Sequence, residues 1–383
     1  MKNQLIIVVL LWFLWGCNPI RENTNDVLPT INIDNAHTDK DGDLGKYLKK
    51  IDFVRLKTSD NYYVQEVNKV IEINNQFLVF DHYSNKLSLF NEDGQWIRFY
   101  GKQGQGPNEY LQIMDFTVDI AKEQIHVFDD MLRKIIIYNL EGKVIQEKKF
   151  FLYFSDVVFD INTNGYIHYA FGFDNIHLSK KQFVSILKVR ENGDVIYTGK
   201  PFPDHALSFN GNRILKNLQQ TTGGTTNLAE AFNDTIYSVK MKRIEPSFLI
   251  NFKANTPPKD FATDAKTIDK LTEARIRNYP YLYSFFTETR RNCILTYSYK
   301  DLLHLVIFDK ASQKTVLNTK NLTYQNYPIP FPTQWTGEHL IGTVVSQDVL
   351  YYQKVSPYLK NLKALQGTKE SDNPVLAIYH FKE

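Results

Sequence analysis

The side chains that could carry chemistry are spread thinly along the chain. Nine histidines stand at 37, 82, 126, 168, 177, 205, 304, 339 and 380, with no HExxH pair and no cysteine pair among them. Zinc needs such donors at ligand spacing, so no metal site is assigned. No Gly-x-Ser-x-Gly marks a serine nucleophile, and the local sequence singles out no catalytic residue and implies no cofactor. Gly101-Lys102-Gln103-Gly104-Gln105-Gly106 resembles a phosphate loop, but Pro107-Asn108-Glu109 follows where a P-loop needs Ser or Thr at a helix start. Its glycines read instead as positive-φ positions in a tight connection. Asp39-Lys40-Asp41-Gly42-Asp43 opens like a calcium loop, yet Gly comes at the fourth place and Lys50 where the bidentate Glu belongs, so a solvated acidic turn is expected.

More can be drawn from residues that recur. The segment 77–97 aligns with 125–145 at a constant offset of 48 (129 − 81), with seven of 21 positions identical. Asp81 and Asp129 are one such pair, Lys86 and Lys134 another, Gly94 and Gly142 a third. An aspartate kept after each strand reads first as a cap on its own turn. The neighbours that differ between copies, His82 and Tyr83 against Asp130 and Arg133, are the candidate ligand contacts. Trp335 and the aromatic run Tyr279 to Phe286 are candidate stacking platforms, because exposed rings of this type hold sugars and peptides.

These residues need strands to position them. Each copy reads as strand, polar turn, strand, Asp-Gly or Glu-Gly turn, strand, with fainter copies at Val184–Ile196 and Leu303–Val316. A period near 50 in antiparallel strands is the mark of a β-propeller. The expected fold is all-β, a six-bladed β-propeller of four-stranded antiparallel blades with short helical insertions at Ala262–Arg277 and Tyr358–Leu365. A sandwich fits neither repeat nor length, and a β-helix has a far shorter period.

Gly101 through Tyr110, Val127-Phe128-Asp129, Asn233 through Tyr237, Ile244-Glu245-Pro246 and Asp372 through Leu376 together make the chain similar to a known family. It resembles the bacterial six-bladed β-propeller lipoproteins, which are NHL-like. The resemblance implies an exported, lipid-anchored propeller whose ring closes by pairing an N-terminal strand, Thr30–Asp34, with Val375–Phe381.

The N-terminus supports that address. Lys2 precedes the uncharged run Leu5–Leu14, which is too short to span a bilayer and of the right length for a signal-peptide core. Leu14-Trp15-Gly16-Cys17 resembles a lipobox, although Trp15 stands where a small residue is usual. The expected organisation is a signal peptide at 1–16, lipidated Cys17 and a tether at 17–34, and the propeller at 35–383. Cys293 then remains as a lone thiol. The anchor places the protein at the bacterial outer membrane, and Asn18 through Glu22 leave periplasmic or surface facing open.

Composition narrows the function. Hydrophobic residues make up 43% and net charge is only +3, with signs interspersed, which suits a folded chain and argues against nucleic acid as a partner. The expectation is a noncatalytic binding or scaffold protein of the cell envelope, partnered by the membrane through its lipid and by an envelope protein, oligosaccharide or peptide. The alternatives are a glycan- or peptide-handling accessory protein, and a metal-dependent hydrolase or lyase using the axial channel.

Overall fold

A computed structural model describes residues 27–40, 42–57, 62–178, 182–202, 216–221, 224–262, 270–336 and 338–382. The expected signal peptide, Cys17 and most of the expected tether lie outside them.

The second sheet shows why these residues make a propeller. Its strands Gln124–Asp129 and Lys134–Asn139 read IHVFD and IIIY through their centres and are buried on both faces, whereas its last strand, Val144–Lys149, is largely exposed. Continuous β-branched and aromatic runs suit a strand covered by a neighbour on each side. Between the first and second sheets, Phe80, Leu87 and Leu89 pack with Phe116, Val127 and Ile136. The core is thus a series of inter-sheet seams.

Six of the sheets have, in chain order, Lys69–Ile73, Ile113–Asp119, Asp156–Asp160, Leu218–Gln220, Tyr281–Glu288 and Gln334–Trp335 as their innermost strands. Successive inner strands lie side by side, and hydrogen bonds lace them together. Gln334 Oε1 accepts from Val70 N (2.8 Å), Asp115 Oδ2 from Val157 N (3.0 Å) and Asp156 Oδ2 from Leu218 N (2.9 Å).

The sheet count corrects the expectation of a six-bladed propeller of four-stranded blades: the chain is a mainly-β, seven-bladed β-propeller. Among the described residues there are seven sheets of three or more strands: five have four strands, one has five and one has three. The five-stranded sheet gains Thr30–Ile33, which pairs in parallel with Leu249–Phe252. The three-stranded sheet consists of Gly42–Asp43, Leu322–Tyr324 and Tyr327–Pro328. Its hairpin turns on Gln325 and Asn326, both at positive φ, as a two-residue turn demands. Strands of two or three residues are too short to show periodicity, which is why the repeat did not reveal this sheet.

Ring closure is also corrected. Val375–Phe381 pairs with Leu48–Arg55, not with Thr30–Asp34. Thr30–Ile33, given to the tether in the sequence reading, is a sheet strand with Ile31 and Ile33 fully buried. The helical insertions are present and differ in extent. Helix α1 is Lys270–Arg277, and 263–269 lie outside the described residues. Helix α2, Ser346–Val355, was not foreseen; α3, Pro357–Lys360, and a 3-10 turn at Lys363–Leu365 occupy the segment Tyr358–Leu365.

Candidate functional site

The inner strands start, and the second strands end, at one mouth of the ring, so the loops there are held by both. Asp81 shows how. Its Oδ1 accepts from Ser84 N (3.1 Å) within its own turn, and its Oδ2 accepts from Gln65 N (2.8 Å) in the incoming connection. Asp129 repeats the arrangement with Leu132 N (2.9 Å) and Leu111 N (2.6 Å), and Asp309 accepts from Ser312 N (2.7 Å). The repeated aspartates are therefore turn caps, buried and occupied, and they aim the residues that follow them.

Those loops rim a cavity of about 630 Å³. It starts near the axis at Asn68, His82 and Asp130, passes Asp156 and Lys216, and crosses the fourth sheet outward to Phe252 and Pro258. Its volume lies within the range of small-molecule sites. The wall is rich in phenylalanine and proline, with Phe171, Phe173 and Phe232 among its rings.

Below the cavity the channel is filled. Lys69 Nζ sits 2.9 Å from Asp115 and 3.7 Å from Asp156, all three side chains nearly inaccessible, and it donates to Phe116 O (2.8 Å) and Val157 O (3.0 Å). Burial holds the Asp156 carboxyl above the usual range, with Lys69 pulling it back and Asp115 pushing the same way as burial. Trp335 lies deeper, its indole N–H donating from Gln334–Trp335 to Gln220 O (2.7 Å) on Leu218–Gln220.

The middle of the cavity wall is a closed polar network. Glu230 accepts from Lys200 Nζ, from Asn233 Nδ2 (2.9 Å) and from Tyr169 OH (3.0 Å). Burial alone would raise the Glu230 carboxyl, but the Lys200 charge and these bonds bring it below its ordinary value. Lys216 is different: it lines the cavity and has no ion-pair partner among the described residues.

Of the five expected contacts, the cavity brings together His82 and Asp130. Burial raises the Asp130 carboxyl, and its Oδ1 is enclosed without a hydrogen-bond partner. Tyr83 is 73% exposed outside the cavity, and the Arg133 guanidinium stacks on Tyr153 at 4.3 Å. Trp335 is only 9% exposed and its polar atom is satisfied, so it braces the channel. The Tyr279–Phe286 run is mostly core, packing Tyr281 on Phe232 and Tyr279 on Phe261, with Pro280 alone of these residues reaching the cavity.

The other motifs resolve into structural roles. Gly101 has φ +78°, and in the loop beyond it Glu109 Oε2 accepts from Gly106 N (2.9 Å). Asp39 Oδ2 accepts from Asn318 N (2.7 Å) and Asp43 Oδ1 from Gly45 N (2.9 Å). Among the described residues no three His, Cys, Asp or Glu side chains group as a metal site.

Lys216, Asn217, Glu230 and Phe232 escaped the sequence reading. Asn217 precedes an inner strand as Asn68 does, but the fourth sheet's strands of three residues carry too little pattern to expose the correspondence.

The sequence profile of a domain of unknown function, DUF4934, matches residues 28–380. This chain belongs to the DUF4934 family. The DUF4934 fold is similar to the crystal structure of a Bacteroides fragilis protein named by inference as exported. The TM-score is 0.73 with 19% identity, over 93% of this chain and 100% of that one. It is also similar to a DUF4221 family member from Bacteroides vulgatus, with a TM-score of 0.50 and 10% identity over 88% and 97% of the two chains. At such identities the likeness concerns the fold alone. No curated protein matches the DUF4934 chain.

Proposed function

We propose that this protein is an exported, lipid-anchored propeller of the bacterial envelope that binds a ligand at one mouth of its ring without transforming it. The observation that carries the reading is the cavity of about 630 Å³, lined by loops of several sheets and by Asp156, which pairs with Lys69 beneath it. Two carboxylates of its wall are occupied: Glu230 is held by three donors, and Asp156 is tied to Leu218 N. Such groups shape a site, whereas a catalytic carboxylate needs a free approach to a reacting atom.

Export is supported by the apolar run Leu5–Leu14 and Cys17, and by the name given to the Bacteroides fragilis structural relative. Outer-membrane attachment follows from Cys17 carrying lipid. His82 and Asp130 are the ligand contacts on the first and second sheets, and Tyr83 stands on the rim beside them.

Thermal unfolding of the full chain in detergent, against sugars, peptides and small amphiphiles, tests this reading. A ligand at 100 times its Kd stabilises by about 2.7 kcal/mol. His82→Ala should weaken the response several-fold while leaving the ligand-free midpoint within a degree or two. A response unchanged by His82→Ala and by Asp130→Ala together would place binding elsewhere.

A further inference from the structure

The cavity's chemistry narrows what it can hold, and this step rests on the mouth-binding reading above. Along the outward path the wall carries the apolar groups Phe171, Phe173, Phe232, Phe252 and Pro258, with Thr235, Thr256 and Lys259 interspersed. Four of the polar groups beside them engage one another, because Tyr169 OH and Asn233 Nδ2 both donate to Glu230, and Lys200 pairs with it. A sugar needs free donors and acceptors in pairs around its hydroxyls, and Tyr169, Lys200, Glu230 and Asn233 have spent theirs on one another. No tryptophan lines the cavity.

At the axial end the balance is reversed. Lys216 lines the wall just before the inner strand of the fourth sheet, where its charge acts on Asp156, yet it lies beyond ion-pair distance of any described carboxylate. Asp156 is already committed to Leu218 N and to Lys69. A partly buried ammonium without an ion-pair partner among the described residues, at the end of a phenylalanine-rich trough, is complementary to an anion carried by an apolar body.

We propose that the cavity binds an apolar chain ending in a carboxylate, with the carboxylate on Lys216 and the chain lying along the phenylalanine wall. Two sources share that chemistry, the free C-terminus of a short apolar peptide and a fatty acid. Asp130 and His82, facing the same end, have hydrogen-bonding capacity that a peptide's terminal amide would use and an alkyl chain would not.

The test uses the full chain in a detergent that does not itself occupy the cavity, and isothermal titration with four probes. These are N-acetyl-Leu-Leu-Phe as the free acid, the same peptide as its C-terminal amide, decanoate, and decanol. The proposal expects the acid to bind at least tenfold tighter than its neutral counterpart in one pair or both, and the pair that responds identifies the source. Lys216→Met should abolish the acid preference, and Lys216→Arg should retain most of it, with unfolding midpoints close to wild type in both. Equal affinity for acid and neutral forms would overturn the proposal, as would an acid preference that survives Lys216→Met. A response to neutral oligosaccharides alone would also overturn it while leaving binding at the mouth intact.

Discussion

At the scale of single residues, the least replaceable group is Lys69. It pairs with two buried carboxylates and bonds two carbonyls, so it holds the first three inner strands together. Removing one partner of a buried ionic cluster leaves the others uncompensated, which costs about 3 to 5 kcal/mol. Lys69→Met should therefore lower the urea midpoint sharply. Asp156→Asn should cost about 1 kcal/mol or less, because one of two acidic groups sharing an ammonium becomes neutral while its amide oxygen can still accept from Leu218 N. Equal losses for the two variants would show that charge balance is not what the cluster supplies. Gly94 makes a second residue-scale prediction. It has φ +72°, and a Cβ there would meet Arg55 O at 2.1 Å, so Gly94→Ala should destabilise by more than about 1 kcal/mol in the same assay.

At the scale of elements, the repeated aspartates join each hairpin to the connection entering the same sheet. Asp129→Ala strands two backbone donors, Leu111 N and Leu132 N, and should cost about 1.5 to 3 kcal/mol, measured by chemical denaturation. This role was legible in the sequence because Asp81 and Asp129 recur with Gly94 and Gly142 at one offset, and strands of five or six residues in those sheets carry clear apolar runs. Other elements were hidden for physical reasons. The two- and three-residue strands of the smallest sheet have no room for a period. Helix α2 contains Val349, Tyr351, Tyr352 and Val355, whose propensities favour strands, and its position is set by burial of Val349 against Leu359 and Leu365. Trp335 looked like a stacking platform because nothing local shows that its strand lies at the ring's centre. The candidate site was half legible: His82 and Asp130 follow the repeat, while Lys216 and Glu230 reach the same mouth only through tertiary structure.

For the molecule as a whole, the seam between the second and third sheets makes stability depend on pH. His168 lies fully buried among Phe128, Phe150 and Phe154, and burial pushes its pKa down to about 3. His126, bonded through Nδ1 to Tyr166 OH at 2.7 Å, is pushed down to about 4, again chiefly by burial. Both fold neutral, and the unfolded chain takes up their protons near pH 6.5. Their stabilising contribution is thus complete above pH 6.5 and declines as pH falls toward 4, at about 1.4 kcal/mol per pH unit for each. Urea titrations from pH 7 to 4.5 should show that slope, and His168→Phe should flatten part of it. A profile unchanged by the substitution would mean that other groups set the acid limit.

The central claim is that the mouth over the Lys69 cluster is where this propeller meets its ligand. Hydrogen exchange of the full chain, with and without saturating N-acetyl-Leu-Leu-Phe or decanoate, tests it directly by mapping protected amides. The account predicts protection concentrated at 68, 82–85, 112–114, 169–173 and 216–235, with the outer strand Val144–Lys149 unaffected. Protection confined to outer strands or to the opposite mouth, with those segments unchanged, would contradict it.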